Sequence, residues 1–235
     1  MITKETSMST LLDLNPINTN MFQRYGLSIE QNVPIQSIVD DRMMDVDFFI
    51  DVLNCYSEIE SFNKKKYSKY SVPVLLDYLI KSHSFYRDKK LLEIEETVFK
   101  LLVTNNDSFN LPQLFHLFFN GYKYELLSHF DLEEKELFPY AKALYTLAKG
   151  RNCKLPIYSL EKFERQHDES ERKLKALRKK ITMFKPHKSD KSTFMVLLSQ
   201  IDSLEKDLHI HAQIEDLVLV PKLVHIEKQL GILKG

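Results

Sequence analysis

Residues 129–139 read HFDLEEKELFP, and residues 211–221 read HAQIEDLVLVP. The two stretches share the pattern H-x3-E-[E/D]-x2-L-[F/V]-P without a gap. A histidine and a glutamate four residues apart lie one turn apart on the same face of a helix. Each stretch therefore offers a metal ion an imidazole and a carboxylate from one rigid element. The repeat predicts two helices that set these faces against each other and form a two-metal pocket.

A further histidine precedes each stretch at a similar interval. His83 lies upstream of His129, and His167 lies upstream of His211. In an antiparallel helix hairpin with a short turn, this spacing returns the chain to nearly the same height along the bundle axis. The predicted metal ligands are His83, His129, Glu133, His167, His211 and Glu215. Four imidazoles and two carboxylates, without a thiolate, suit iron or manganese.

Other polar side chains lie near the predicted ligands in the sequence. Glu125 and Asp207 each precede a ligand histidine by four residues. Each acid either accepts the second ring N–H of that histidine or belongs to an exposed helix face. Both alternatives stay open, so neither acid joins the ligand set. Tyr122 and Tyr140 fall near the ligand stripe, where buried aromatic residues are more often core than catalytic.

The composition and the hydrophobic pattern both indicate helices. The chain of 235 residues has five glycines and no tryptophan, which favours helix over sheet. Amphipathic stretches over about 72–104, 109–147, 156–184 and 190–230 are separated by short polar breaks. Four such helices predict an all-α, up-down-up-down four-helix bundle. Pro139 and Pro221 fall inside these stretches and predict kinks just beyond the ligands.

The first part of the chain differs from the rest. Residues 1–65 consist of short segments broken by Pro16 and Pro34, and they predict a small helical N-terminal domain. The lysine-rich run SFNKKKYSK over residues 61–69 predicts a solvated linker. Residues 70–232 form the predicted four-helix bundle that carries the metal site.

Charge and hydropathy argue against several classes of function. Lys plus Arg and Asp plus Glu both number 33, which gives no indication of a nucleic-acid partner. No segment approaches the roughly 20 apolar residues needed to span a bilayer, and the first residues lack a secretory signal. We therefore expect a cytoplasmic protein without a membrane partner. Cys55 and Cys153 are far apart in the sequence and are predicted to be free thiols.

At these motifs the chain resembles the di-iron iron–sulphur cluster repair proteins, also called regulators of cell morphogenesis and NO signalling, whose main domain is hemerythrin-like. The resembling segments are His83–Arg87, residues 129–139, the third-helix segment that begins at His167, and residues 211–221. The resemblance implies that Glu133 and Glu215 bridge two iron ions, Fe2+ or Fe3+, with an oxo bridge as one form. One iron ion, or manganese, stays open as an alternative.

The sequence also departs from the family pattern at two places. Residues 21–27, MFQRYGL, resemble a segment of the family's small leading domain, but Glu30 and Gln31 stand where the family has adjacent cysteines. A further family histidine aligns near Asn105, which is a poor iron ligand, and Asp107 is a candidate substitute. The site therefore has either an additional open coordination position or a weakly held second metal ion.

The resemblance implies a non-haem di-iron protein that acts in nitrosative or oxidative stress. Its expected partners are NO or O2 as small ligands and damaged iron–sulphur proteins as recipients of iron. One alternative is a hemerythrin-like O2 or NO sensor or carrier without repair activity, and another is a di-iron NO or peroxide reductase. Whether the protein is an enzyme therefore stays open, as does a homodimer. A structural protein that has lost metal binding is disfavoured by the ligand set.

Overall fold

The computed structural model describes residues 1–28, 33–39, 44–57, 62–104, 111–158 and 191–232, and the single positions 160, 172, 176 and 179; the side chains of residues 104 and 111–115 lie outside the description. The α-helices are α1 (Met8–Leu14), α2 (Thr19–Arg24), α3 (Ile35–Val39), α4 (Val46–Ser57), α5 (Lys64–Tyr67), α6 (Val72–Phe85), α7 (Leu91–Thr104), α8 (Leu111–Leu132), α9 (Phe138–Ala148), α10 (Lys191–Ile214) and α11 (Val220–Gln229). Apart from an isolated bridge between Ser7 and Pro34, the regular structure of these residues is helical. The prediction of an all-α fold is confirmed.

The long helices follow the predicted amphipathic stretches. α6 and α7 cover the stretch predicted over 72–104, α8 and α9 that over 109–147, and α10 and α11 that over 190–230. The second of these stretches ends at the predicted break, where Gly150 adopts a φ of 72° that favours glycine. The helix predicted over 156–184 falls almost entirely outside the described residues. None of the described helices is long and apolar enough to cross a membrane.

A π-helical turn interrupts each of these three long stretches. The turns are Tyr86–Lys90, Glu133–Leu137 and Glu215–Leu219. The last two begin at the equivalent glutamates of the sequence repeat, and the N–H of Val220 donates to the carbonyl of Glu215, five residues earlier. A proline inside a regular α-helix clashes with the carbonyl four residues before it. A wider turn just ahead of Pro139 and Pro221 provides room for the ring.

The chain forms two compact units, each built from segments that are distant in sequence. The first comprises Met1–Phe85, Phe138–Ile157 and Lys206–Gly235, and the second comprises Tyr86–Leu137 and Tyr158–Glu205. In the first unit, α6 contacts both α2 and α9, and α9 contacts α11. The division into a domain over 1–65 and a bundle over 70–232 stays a prediction.

An aromatic core connects the leading helices of the first unit with α6. The ring of Phe48 packs edge-to-face against Tyr67, Tyr70 and Tyr78, with ring centroids 6.2, 4.9 and 5.5 Å away. Edge-to-face pairs of this kind add to the stabilisation from burial alone. All four rings are buried, so α4, α5 and α6 share one hydrophobic interior.

The described part of the run predicted as a solvated linker, residues 62–69, has exposed lysines as predicted but also contains a helix and a buried side chain. Residues Lys64–Tyr67 form α5, capped by the Asn63 side chain, which accepts from the N–H of Lys65. Tyr67 is buried, and its hydroxyl donates to the carbonyl of Asp51 at 2.7 Å. The lysines of the run dominate the sequence pattern, whereas its one tyrosine, Tyr67, determines where the segment packs.

The second unit packs α7 against α8. Between these helices, Lys123 Nζ lies 2.6 Å from Glu95 Oε2. The rings of Tyr86 and Phe130 stack with centroids 5.8 Å apart, and both residues are buried. Arg87 donates to Asp131 at 3.0 Å. The π turn that begins at Tyr86 is therefore fixed against the end of α8, close to the first copy of the repeat.

Candidate metal centre

His83 and His211 form a buried pair in the first unit. His83 is fully buried near the end of α6, His211 is 3% exposed near the end of α10, and their Nε2 atoms lie 3.3 Å apart. With metal–nitrogen bonds of about 2.1 Å, two ligands of one ion are about 3.0 Å apart at a right angle and about 3.4 Å apart at a tetrahedral angle. The separation of the two nitrogens therefore suits two ligands of a single ion.

Aromatic rings form the walls around this histidine pair. The ring of Phe138 stacks on the imidazole of His83 with a centroid distance of 5.3 Å, and the ring of Tyr78 lies 6.4 Å from that of His211. Two protonated imidazoles facing each other at this distance would repel. The contact between the two Nε2 atoms suits either a hydrogen bond between neutral imidazoles or, with both nitrogens unprotonated, a shared metal ion.

Glu215 lies one helical turn after His211 and belongs to the same unit. Its side chain is fully buried, and its Oε2 atom lies 3.6 Å from His211 Nε2. This separation exceeds the usual hydrogen-bond length but suits two atoms that bind a common ion. A buried carboxylate needs a positive partner to offset its loss of hydration, and a metal ion provides one. The donor chemistry of His83, His211 and Glu215 thus fits a metal ion.

The first copy of the repeat lies in the second unit, and its histidine and glutamate lie closer together than those of the second copy. His129 Nε2 is 2.5 Å from Glu133 Oε1, with the two side chains 10% and 0% exposed. Glu133 opens its π turn as Glu215 does. The predicted helix-face pairing of imidazole and carboxylate is therefore present in both copies, with a shorter nitrogen–oxygen distance in the first.

Three of the sequence predictions concern residues that the structure does not describe. His167 lies outside the described residues, as do Asn105 and Asp107. Glu30 and Gln31, which the resemblance aligns with adjacent cysteines of the cluster repair proteins, also lie outside them. The structure brings His83 together with His211 in one unit and His129 together with Glu133 in the other. The complete six-residue ligand set stays a prediction.

Asp207 has partners that the sequence did not predict. Its buried carboxylate accepts hydrogen bonds from Asn20 Nδ2 at 2.9 Å, from Arg24 Nη2 at 2.7 Å and from the Tyr56 hydroxyl at 2.8 Å. Its position one turn before His211 marked it as an acid near the site, but no spacing rule connects it with the leading helices. Because Asp207 is buried, the alternative that it belongs to an exposed helix face is wrong. That Asp207 and Glu125 accept the second ring N–H of their histidines stays a prediction.

Tyr140 and Glu227 form a second buried polar pair, between α9 and α11. The hydroxyl of Tyr140 donates to Glu227 Oε1, and both residues are buried. Burial, followed by the hydrogen bond to Glu227, raises the pKa of Tyr140 above its usual value. The tyrosine therefore stays protonated at neutral pH, which agrees with its interpretation as a core residue. Tyr122 is likewise buried, in the second unit.

Comparison with known proteins assigns the chain to a class. Residues 89–223, more than half of the chain, match the hemerythrin HHE cation binding domain. The chain therefore belongs to the hemerythrin HHE family, and the predicted hemerythrin-like helical bundle is confirmed. Its buried histidines and glutamates are residue types that bind metal cations in proteins.

A more specific similarity extends over nearly the whole chain. The iron-sulfur cluster repair protein ScdA of Staphylococcus haemolyticus (strain JCSC1435) is 22% identical over 227 residues, which cover 94% of this chain and 99% of the relative. This similarity includes the leading helices as well as the hemerythrin domain. The resemblance to the cluster repair proteins, predicted from the motifs, is confirmed as that of a divergent relative.

Proposed function

We propose that the protein is a non-haem di-iron protein of the nitrosative and oxidative stress response, related in activity to the iron–sulphur cluster repair proteins. The observation that carries the proposal is the buried pair His83–His211, with Nε2 atoms 3.3 Å apart and the buried carboxylate of Glu215 one turn further on. Family membership and the similarity to a cluster repair protein along both chains support it.

The proposed ligands are the six residues that the sequence repeat identifies. Imidazole nitrogens come from His83, His129, His167 and His211, and bridging carboxylates come from Glu133 and Glu215. Iron bound there supplies an open coordination position for NO or O2 and a change of oxidation state. The two carboxylates offset the positive charge of the ions in a buried setting, where charges interact more strongly than in water.

The residues around the ligands have a separate task. Phe138 covers the His83 ring, and Tyr78 lies beside His211. These side chains exclude water from the histidine pair and restrict the movement of its rings, which keeps the nitrogens directed at one point. A buried setting lined by apolar rings favours a small uncharged ligand such as NO or O2 over a charged one.

The proposal is tested by measuring the metal and the repair activity together. Protein purified from iron-replete cells should contain close to two iron ions per chain, and its addition should restore an iron–sulphur enzyme damaged by NO. The variant His83→Ala should lose most of its iron and all of this restoring effect. The exposed variant His225→Ala is the matched control and should keep both. A wild-type protein without iron would disprove the proposal.

A sensor or carrier of O2 or NO is the second candidate function. Glu30 and Gln31 stand where the repair family has its cysteines, so thiol chemistry in the leading segment is missing at these positions. If the iron-loaded protein binds NO reversibly but restores no damaged enzyme, this second function is the correct one. Sustained consumption of NO or peroxide with a reductant would instead identify a reductase.

The proposed site of action is the cytoplasm, with damaged iron–sulphur proteins as partners. Cys55 and Cys153 are both free thiols, which agrees with a reducing compartment. The proposal leaves the oligomeric state open between a monomer and a homodimer.

A further inference from the structure

The carboxylate of Asp207 is the meeting point of three side chains from the leading helices. Arg24 Nη2 and the Tyr56 hydroxyl both donate to Oδ1, whereas Asn20 Nδ2 donates to Oδ2. The side chains of the Arg24–Asp207 pair are 0% and 1% exposed. A deeply buried ion pair depends on good geometry and on further hydrogen bonds to its polar atoms, and both oxygens of Asp207 accept hydrogen bonds.

The guanidinium group of Arg24 also faces α6, the helix that carries His83. Its central carbon lies 4.9 Å from the ring centroid of Tyr78 and 5.2 Å from that of Phe85. A cation over the face of an aromatic ring is attracted to it, most strongly when water is excluded. One side chain therefore contacts α6 through two aromatic rings and α10 through the carboxylate of Asp207.

The helices that meet at Arg24 are those that carry the paired histidines. His83 lies two residues before Phe85 on α6, and His211 lies one turn after Asp207 on α10. Neighbouring turns of one helix move together, so a shift at Asp207 moves the imidazole of His211. Because the guanidinium group is rigid and planar, it fixes the direction as well as the length of its contacts, which the ammonium group of a lysine would not do.

We propose that Arg24 and Asp207 are positioning residues for the metal centre, which hold His83 and His211 at the separation that binds one ion. The inference rests on the proposed function. It assigns the leading helices a role in metal binding that needs no cysteine: they supply Arg24, Asn20 and Tyr56 to the helix that carries His211. Loss of such supporting contacts commonly lowers metal affinity about 10- to 100-fold.

The test is a metal titration of the full chain, with iron(II) under anaerobic conditions and with cobalt(II), whose visible spectrum reports ligand geometry. Arg24→Gln and Asp207→Asn should each lower affinity about 10- to 100-fold and alter the cobalt spectrum. The double variant should lose little more than either single variant, because both act through one contact. Lys4→Gln is the matched control, since Lys4 pairs with Asp47 at an exposed site, and it should behave as wild type.

Two further variants keep the test decisive. Arg24→Lys retains the positive charge but lacks the planar set of N–H donors of the guanidinium group. Its metal affinity should therefore lie between those of Arg24→Gln and the wild type. Tyr56→Phe removes a single hydroxyl donor from Asp207 and should fold even if the charge variants do not; its cobalt affinity should fall by about tenfold, the lower end of the loss expected when a contact that supports a ligand is removed.

The outcomes separate this inference from the proposed function. If the wild-type protein binds neither metal, the proposed function fails, and the inference fails with it. If the wild type binds metal and the variants have wild-type affinity and spectra, the network is merely structural, even where their melting temperature falls. That second result would overturn the inference and leave the proposed function intact.

Discussion

The two copies of the H-x3-E pattern are nearly equal in sequence and differ in their surroundings. His129 lies 2.5 Å from Glu133, and its side chain is 10% exposed. His211 lies 3.6 Å from Glu215, its side chain is 3% exposed, and it pairs with His83. The acid one turn before His211 is buried with three donors around it, whereas Glu125, one turn before His129, is half-buried.

This contrast separates what a ligand motif specifies from what its neighbours specify. The motif places an imidazole and a carboxylate on one helix face in both copies. The exposure of the imidazole and its distance from the carboxylate depend on the helices that pack around each copy. The leading helices contact the helix of the second copy through Asp207, so we expect His211 to be held more firmly and to respond more strongly to substitution.

The largest expected effect comes from deleting one histidine in each copy. His211→Ala should lower iron(II) affinity by more than the roughly 100-fold that loss of a supporting contact can cost, whereas His129→Ala should lower it less. The reason is that water reaches the partly exposed position of His129 and replaces the lost ligand, while the buried position of His211 stays dry. Anaerobic titration of both variants measures the difference.

A matched control for this pair is His116→Ala, because His116 lies on the same helix as His129 and outside the predicted ligand set. Circular dichroism should show equal helix content in all three variants. Equal losses of affinity at His129 and His211 would contradict the proposed difference between the copies.

An intermediate effect concerns the pH dependence of stability around the second copy. Burial raises the pKa of Tyr56 well above its ordinary value. Its contribution to stability is fully present below the unfolded-state pKa of about 10. It is lost as pH rises above that value, because the unfolded chain then binds fewer protons than the folded one. The free energy of unfolding should fall by about 1.4 kcal/mol per pH unit for this residue.

Urea unfolding of the metal-free protein between about pH 9 and 12 checks this expectation. Tyr56→Phe should be less stable at neutral pH, because it lacks one hydrogen bond to Asp207, but its stability should decline less steeply above about pH 10. Parallel curves for the variant and the wild type would rule out the contribution of Tyr56.

The smallest expected effect is one in which the two copies should behave alike. If each π turn accommodates the proline that follows it, Pro139→Ala and Pro221→Ala should each change the free energy of unfolding by less than about 1 kcal/mol. A proline forced into a regular helix costs about 3 kcal/mol or more. Thermal unfolding of the metal-free variants measures the change. An increase of about 3 kcal/mol in the free energy of unfolding of either variant would show that its π turn does not accommodate the proline.

Much of the helical architecture was predictable because it follows from local periodicity. The bounds of the three described long stretches agree with the amphipathic pattern to within a few residues. The π turns were not predictable. A π turn has one more residue than an α-helical turn, and it can be formed by the same residue types. The prediction of a linker missed the buried side chain of Tyr67, which packs against Phe48, because the neighbouring lysines obscure this long-range contact.

The candidate site was predictable to the extent that it consists of repeated spacing. His83 and His211 were identified from their positions in two matching segments, and the structure brings them together. The partners of Asp207 were not identified, because Arg24 lies 183 residues away in sequence. Pairings over such separations are decided by tertiary packing, for which a single sequence carries no periodic signal.

The π turns also impose a condition on how this protein tolerates insertions and deletions. Each residue of an α-helix advances the chain by about 100° around the axis. The extra residue in Glu215–Leu219 therefore determines which side chains of the following helix face the protein interior. Deleting one residue there would restore an ordinary helix and turn Leu223, Ile226 and Glu227 away from the interior in which they are buried. Single-residue length changes should therefore be selected against at this turn, although the same changes are tolerated in surface loops.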